Sequence, residues 1–537
     1  TDVEGTPRDP ERGAFTRHGE AKPATTDEGE PKDTSDGTSV TGMLSTKVAN
    51  AYRQLFAPVM TQTAMFLLFA IAVSNSELMW LADVRGAFLY ALLLPEEIVY
   101  CRPPKGYENH PRFKGKIMRL RKALYGLAQA PRRWWEHLVS VLSKHGLRRT
   151  AVDPCLFVLV IGTFIIKAGT HVDDFLFTSN DKSKFEAWFA EIEKELKISS
   201  KECIGMSGAD YMSLAVTYDI VQGYLKISQT EYIKKQLVAF GLERVKSAPT
   251  PMASGVKFTT SDMPEEIDER RRATYRRLLG VARWIARMSV PEAMFAVAYL
   301  ACFLENPSQG MLNAAIYVFR YYKWTIENDV EGRHYYKPSD MVQAMGFKPR
   351  SIGKNQVYGY IDSTYLSEEK SQCRYGVDYF VNGMSVFELS RRLPDIVLSS
   401  TEAEYVALSI GLCEGKYIRM LLEAMGEPQT EAMKIAQDNK SCIQIAENPG
   451  RHHARTKHID VRVRWVEQEI EAGRVELVYV HTDSMVADIL TKALSYNKHA
   501  KFTEEMKGVK MPEKESKGSN KAQKRKHVGW TDMEMDV

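Results

Sequence analysis

The sequence has few cysteines and no pattern among them. Seven are scattered along 537 residues: Cys101, Cys155, Cys203, Cys302, Cys373, Cys413 and Cys442. No C-x-x-C occurs and the count is odd. That argues against a disulfide framework or a zinc knuckle and fits a reducing compartment. Long apolar runs are also missing. The longest near the start, Ala64 to Val73, is about ten residues, against the roughly 20 that a membrane span needs. No secretory leader is visible. One-sided charge is absent too: 72 Lys and Arg stand against 68 Asp and Glu, a net +4. Any attraction for nucleic acid must therefore come from local basic clusters. What remains is an ordinary globular composition, 44% hydrophobic and 26% charged. The chain is too long for one core, so about three to four domains are expected.

Residues 1 to about 45 are rich in Gly, Pro, Thr, Asp and Glu with almost no aliphatics, and read as disordered. A helical period runs from Val48 to Ser74, then a strand from Leu78 to Val84. Tyr100 to Pro104 and Ile117 to Leu120 read as short strands. Pro131 opens a helix to His145, with proline at its first turn. Further strands and helices alternate to about Phe240, and residues from Arg270 to about Ile326 are mostly helical. Strands then return at Val357 to Asp362, Val377 to Val381, Ser385 to Ser390, Val397 to Ser400, Met433 to Ala436 and Val475 to Val480. A helix opens at Ser400, and this alternation predicts a second α/β domain. From about 497 the chain is Lys-rich and reads as a flexible basic tail.

The most informative feature is Asp173-Asp174 inside the apolar run Ala168 to Phe177. It predicts a tight hairpin between buried strands. Burying unpaired charge costs several kcal/mol, so a divalent cation or a phosphate partner is implied. A surface turn is the alternative, since Asp is common there. Asp83 ends an apolar strand some 90 residues earlier. Carboxylates at strand ends suit a pair of Mg²⁺ ions.

Several blocks then occur in order: Asp83-Val84-Arg85-Gly86-Ala87-Phe88-Leu89, Pro103-Pro104-Lys105-Gly106-Tyr107, Leu120 to Trp134, Asp153-Pro154-Cys155-Leu156-Phe157, and His171-Val172-Asp173-Asp174. In sequence and spacing they resemble the reverse transcriptase of copia-type LTR retrotransposons. The resemblance implies that Asp83, Asp173 and Asp174 bind two metals. It implies that Phe88 is the aromatic gate against a ribose 2′-hydroxyl, and that Gln129 lies beside the incoming nucleotide. Arg132 and Arg133, beside Trp134 and Trp135, are candidates for template phosphate contact and stacking; a core role for the tryptophans and a solvated face for the arginines is the other reading. The run Arg270-Arg271-Arg272 with Arg276 and Arg277 has the same two readings, a duplex track or a face paired with Glu265, Glu266 and Glu269.

Downstream, Leu398 to Tyr405, Asp438-Asn439-Lys440-Ser441, Arg455 to Asp460 and Ala487 to Lys492 resemble the copia-type RNase H domain. By that resemblance Asp362, Glu404, Asp438 and Asp488 bind metal. Glu402 is a rival to Glu404, two residues away and on a different helix face. His452, His453 and His458 have no cysteine partner at zinc spacing.

The implied fold is α/β and α+β and multi-domain. It has a reverse-transcriptase palm with truncated fingers over 46–250, a helical thumb or connection over 251–345, an RNase H-like mixed sheet with helices over 346–496, and the tail. The implied function is RNA-directed DNA polymerisation with hybrid RNA hydrolysis, using Mg²⁺ or Mn²⁺. The implied partners are dNTPs, an RNA template, a DNA primer, the RNA–DNA hybrid and other polyprotein products, with no membrane. An intracellular location, in a cytoplasmic particle or the nucleus, is expected. The sequence departs from the family: the upstream fingers are missing or replaced, His171 stands where Tyr is usual, and Asp362-Ser363-Thr364 lacks a second acid. Two alternatives follow, a polymerase-dead fragment with only the nuclease, or a non-catalytic nucleic-acid-binding relic. A start at Thr1, with no integrase or protease segment, reads as a piece of a longer polyprotein.

Overall fold

Helix α1 (Gln62–Asn75) is apolar on all sides, and every residue from Thr63 to Ser74 is buried. A helix with no polar face is stable only when covered all round. Thr61 caps it, its hydroxyl accepting from the Ala64 N–H. The helix was expected from Val48; instead it begins after Pro58 at this cap, and residues before 55 lie outside the described ones. The structure, a computed structural model, describes residues 55–337, 352–365, 372–394, 397–448 and 460–513.

Strand β1 (Leu78–Val84) follows, then a ribbon of β2 (Tyr100–Cys101) and β3 (Met118–Arg119), helix α2 (Ala130–Lys144), and β4 (Arg148–Arg149), β5 (Leu156–Ile161), β6 (Phe164–His171) and β7 (Asp174–Ser179). Helix α3 (Lys182–Glu193) and β8 (Ile198–Cys203) complete an antiparallel sheet of order β4-β5-β6-β7-β1-β8. Alternation along β1 splits its side chains between two layers. Trp80, Ala82 and Val84 join the core under α2 and α3, whereas Met79 and Leu81 join the core around α1.

A second sheet of order β12-β11-β10-β9 is built from β9 (Ala209–Tyr211), β10 (Leu214–Asp219), β11 (Tyr224–Ser228) and the distant β12 (Arg333–Tyr336). Between them run α4 (Thr230–Ala239), α5 (Glu269–Met288), α6 (Met294–Leu300) and α7 (Gln309–Glu327), a helical layer with its own core. The boundary expected at 250 therefore cuts through one sheet, whereas that expected at 345 falls after its last strand.

The third sheet has order β15-β14-β13-β16-β17, from β13 (Val357–Thr364), β14 (Arg374–Val381), β15 (Met384–Arg392), β16 (Met433–Gln437) and β17 (Val475–Tyr479). Strands β13 to β15 pair antiparallel, whereas β16 is parallel to both β13 and β17. Its helices are α8 (Ser400–Ala424), α9 (Lys440–Glu447) and α10 (Asp460–Glu471). No strand forms at 397–400, because Ser399 is committed to capping α8, its side chain accepting from the Glu402 N–H.

One apolar cluster runs from α1 through β10 and β11 into β13, β14 and α8. Polar contacts reinforce the join. Lys167 of β6, 1% exposed, holds Glu77 at 2.5 Å and faces Glu427, just beyond α8, at 3.8 Å. Arg333 of β12 stacks over Phe66 of α1 at 4.2 Å and pairs with Glu388 of β15 through both terminal nitrogens. Burial opposes the Arg333 charge, but the Glu388 carboxylate outweighs it and raises its pKa.

The expected tail also changes character. Residues Tyr496–Lys507 form α11, with Phe502 and Met506 buried. Lys507, fully buried, pairs with Glu292 at 2.9 Å and donates to the Val330 carbonyl at 2.6 Å. Lysine-rich composition hid this helix, because its few apolar residues fall on one face. Residues beyond 513 lie outside the described ones. Breaking a buried ion pair from one side costs about 3–5 kcal/mol. Lys507→Ala is therefore expected to lower the unfolding free energy, read from urea denaturation, by that margin, and an unchanged value would return α11 to a dispensable tail.

Candidate active sites

The first acidic nest forms where β1 meets the β6–β7 hairpin. Asp83 lies directly opposite Asp174 across β1–β7, and the Val84 N–H donates to the Asp173 carbonyl at 3.1 Å. His171 pairs with Asp174, so Val172 and Asp173 alone make the turn. Val172 has φ +60°, a costly conformation for a β-branched residue, worth about 1–3 kcal/mol. The Trp134 indole N–H holds the turn, donating to the Val172 carbonyl at 2.7 Å. Trp134 was expected in the core or as a stacking group; its bond to the turn carries no signal in the sequence.

Asp83 and Asp173 open on a cleft of about 760 Å³ that Arg85, Glu193, Lys197 and Ser199 also line. Ser199 donates its hydroxyl to the Asp83 carboxylate. Partial burial raises the Asp174 pKa, and the charges of Asp173 and Asp83 raise it further. Arg85 and Lys197 bring positive charge to the rim. Arg85 stood in the quoted motif without a role, and Lys197 had no motif to mark it.

The other candidates fall outside this cleft. Phe88 sits on a 3-10 turn (Ala87–Tyr90), its ring 4.7 Å from that of Tyr125. Gln129 precedes α2 and makes no side-chain cap. The two arginines expected on template phosphate are engaged inside the molecule. Arg133 is buried between Glu97 at 3.1 Å and Glu136 at 2.6 Å. Arg132 pairs with Glu136 at 2.8 Å and lies over the Trp135 ring at 4.5 Å. The reason is local: a helix places Glu136 three and four residues from them.

The second nest is tighter. Carboxylate oxygens of Asp362 in β13, Glu404 in α8 and Asp438 after β16 all lie within 4.8 Å of one another. Glu402 is elsewhere, accepting from the Leu398 N–H at 2.7 Å at the helix start. Asp362 accepts from the Thr491 hydroxyl at 2.6 Å, and Asp438 from Thr482 at 2.8 Å. Glu404 accepts from the Ser363 N–H at 3.3 Å, and its second oxygen is buried with no hydrogen bond. Gly376, opposite Asp362, permits this assembly: a Cβ there would meet Leu490 at 2.7 Å and block the turn that carries Thr491.

Asp488 was expected as a fourth ligand, and the structure gives it other partners. It is fully buried, with Lys492 and Lys498 each 2.6 Å from its oxygens. A carboxylate with no exposure requires a counter-charge, and these ammonium groups supply it. Lys492 was visible in the motif; Lys498 carried no signal. His452, His453 and His458 lie outside the described residues.

Burial pushes the Asp362 pKa up to about 8, against the pull of Lys492 and with a further push from Asp488. Burial, then Asp362 and Asp438, drives Glu404 well above the usual range. Two buried carboxylates, one with an unpartnered oxygen, beside a half-buried third are a poor protein interior and a good hard-oxygen donor set, one that fits Mg²⁺ or Mn²⁺.

Residues 38–254 match the family Reverse transcriptase (RNA-dependent DNA polymerase). Pol polyproteins align across both nests. That of transposon TNT 1-94 from Nicotiana tabacum is 26% identical over 457 residues, covering 83% of this chain and 32% of the relative. That of transposon RE1 from Arabidopsis thaliana is 28% identical over 468 residues, 86% and 29% of the two. The chain is similar to the Pol polyproteins of copia-type retrotransposons. The yeast Ty1-DR5 Gag-Pol polyprotein is 22% identical over 446 residues, 80% of this chain and 24% of its own length. The chain thus spans about a third or less of the length of the curated relatives it matches. A solved foamy viral protease–reverse transcriptase, in complex with double-stranded DNA, aligns over 75% of this chain and 59% of its own at 9% identity, with a TM-score of 0.18.

The acid set has a pH signature. A carboxyl whose folded pKa is raised contributes stability at low pH that is lost as pH rises through the folded value. The metal-free thermal midpoint is therefore expected to fall between about pH 4 and pH 8 on account of Asp362. Mg²⁺ should offset the fall increasingly as protons leave, and Asp362→Asn should flatten it. A pH profile identical in Asp362→Asn, read by scanning calorimetry, would contradict the assignment.

Proposed function

We propose that the chain is an RNA-directed DNA polymerase that also hydrolyses the RNA of an RNA–DNA hybrid, with a separate metal-dependent site for each reaction. One observation carries the reading: the acids converge in two nests, Asp83 with Asp173 and Asp174 on the first sheet, and Asp362 with Glu404 and Asp438 on the third. The match of residues 38–254 to reverse transcriptases supports the polymerase half.

Mg²⁺ held by either nest would supply Lewis acidity, favouring deprotonation of an attacking oxygen and steadying the departing one. The chain's own groups do the rest. Ser199 fixes the rotamer of Asp83, and Trp134 fixes the hairpin that carries Asp173 and Asp174. Arg85 and Lys197 face the cleft and favour a triphosphate there. In the second nest Thr491 and Thr482 orient Asp362 and Asp438. The lysines around Asp488 place positive charge where a hybrid's phosphates would approach. The substrates would be dNTPs, a primed RNA template and the resulting hybrid, inside the cell, in a cytoplasmic particle or the nucleus.

One feature favours nuclease activity alone. Among the described residues, only the Asp362 nest has all its ligand oxygens within 4.8 Å. Two substitutions separate the readings. Asp173→Asn should abolish primer extension on an RNA template and spare hybrid cleavage, and Asp438→Asn should do the reverse. Each loss should reach about 100-fold or more, the scale for removing a group that stabilises transition-state charge. Wild-type cleavage without any extension would leave the nuclease alone; neither activity at any Mg²⁺ or Mn²⁺ concentration would refute both.

A further inference from the structure

The charge of this chain is unevenly spread. Between residues 85 and 125 there are nine Lys and Arg, three Glu and no Asp, a local +6 against +4 for the whole. All nine cations are exposed. Elsewhere basic side chains are commonly spent on acids, as at Arg132, Lys144 and Lys201. Here none of the nine forms an ion pair among the described residues, and none has an unprinted partner. The acids nearby are engaged otherwise: Glu97 accepts from Arg133 and the Leu94 N–H, and Glu108 from the Gly106 N–H.

The same segment displays apolar and aromatic surface. Tyr100 is 62% exposed, Tyr125 54% and Ile117 71%. The β2–β3 ribbon explains why. Its register sets Tyr100 opposite Arg119 and Cys101 opposite Met118. Alternate residues point to opposite faces. Val99, Cys101, Met118 and Leu120 are half-buried on one face, whereas Tyr100, Arg102, Ile117, Arg119 and Arg121 are exposed on the other. A phenol ring thus stands among guanidinium groups on an open, two-stranded platform. A bridge from Leu92 to Lys122, and the contact of Tyr125 with Phe88, tie this platform to the loop that follows Asp83.

A protein partner would need a strongly acidic surface to match six net charges, and lysine is depleted at such interfaces. A duplex would satisfy the cations but leave the rings idle, since its base faces are stacked internally. An unpaired strand uses both: phosphates for the cations, base faces for the rings. We propose that the outer face of the β2–β3 ribbon binds single-stranded nucleic acid, stacking bases on Tyr100 and holding the flanking phosphates with Arg102 and Arg119. The inference extends the polymerase reading by giving the unpaired strand a place beside the Asp83 loop, but the binding itself requires no catalysis.

The test is therefore a binding measurement on the full chain, without divalent metal, using fluorescence anisotropy of a labelled oligouridylate and of a blunt duplex. Tyr100→Ala should weaken the unpaired oligonucleotide about tenfold and leave the duplex unchanged, and Tyr100→Phe should restore it. Replacing Arg102 and Arg119 together by Gln should reduce the slope of log K against log salt by about 1.4, at about 0.7 per phosphate contact. Binding of Tyr100→Ala equal to the wild type would overturn the proposal, as would equal losses for single strand and duplex. A dimer seen by sedimentation and lost in Tyr100→Ala, with oligonucleotide binding intact, would assign the face to a second copy instead. Failure of primer extension with this binding intact would refute the polymerase reading alone.

Discussion

A helix without a polar face must be covered on every side, and α1 imposes that demand on the whole molecule. One side of the first sheet covers part of it, β11 and β12 another part, and β15 with α8 the remainder. The apolar term alone is large: each fully buried large side chain is worth roughly 1.5–3 kcal/mol, and α1 buries two Phe, two Leu, an Ile, a Met and a Val. Arg333 over Phe66 and Lys167 between Glu77 and Glu427 then fix the angle at which the sheets meet, since ion pairs at low exposure tolerate little displacement.

Against that rigid frame both acidic nests use the same device. A strand end or sharp turn places a carboxylate at the margin of a sheet, and a neighbouring element supplies the next. Local order comes from groups that carry no charge themselves. The Trp134 N–H clamps a strained valine turn in one nest, and the Thr491 hydroxyl steadies Asp362 in the other. The repulsion left among the acids is not relieved internally, which separates these nests from Asp488, whose charge is matched by two lysines.

Much of this was legible in the chain. Asp173-Asp174 in an apolar run announced a hairpin, and strand-like runs before Asp83 and in front of Asp438 announced strand ends. Periodicity does not report what a charged side chain will meet, which is why Arg132 and Arg133 read as phosphate contacts although Glu136 was one turn away. It also misses helices whose apolar residues are few but aligned, as in α11, where Phe502 and Met506 are outnumbered by lysines. Segment boundaries drawn from composition failed for a further reason. The second sheet takes three strands from before the helical layer and one from after it, a closure that no local signal encodes.

The shared helix has an evolutionary corollary. Because α1 belongs to the core of the first and third sheets alike, neither can be excised with a finished surface; each would carry away an apolar scar where the other had been. Recombination between such elements would therefore tend to transmit both sheets together, and a drifting lesion in one would erode the solubility of the other.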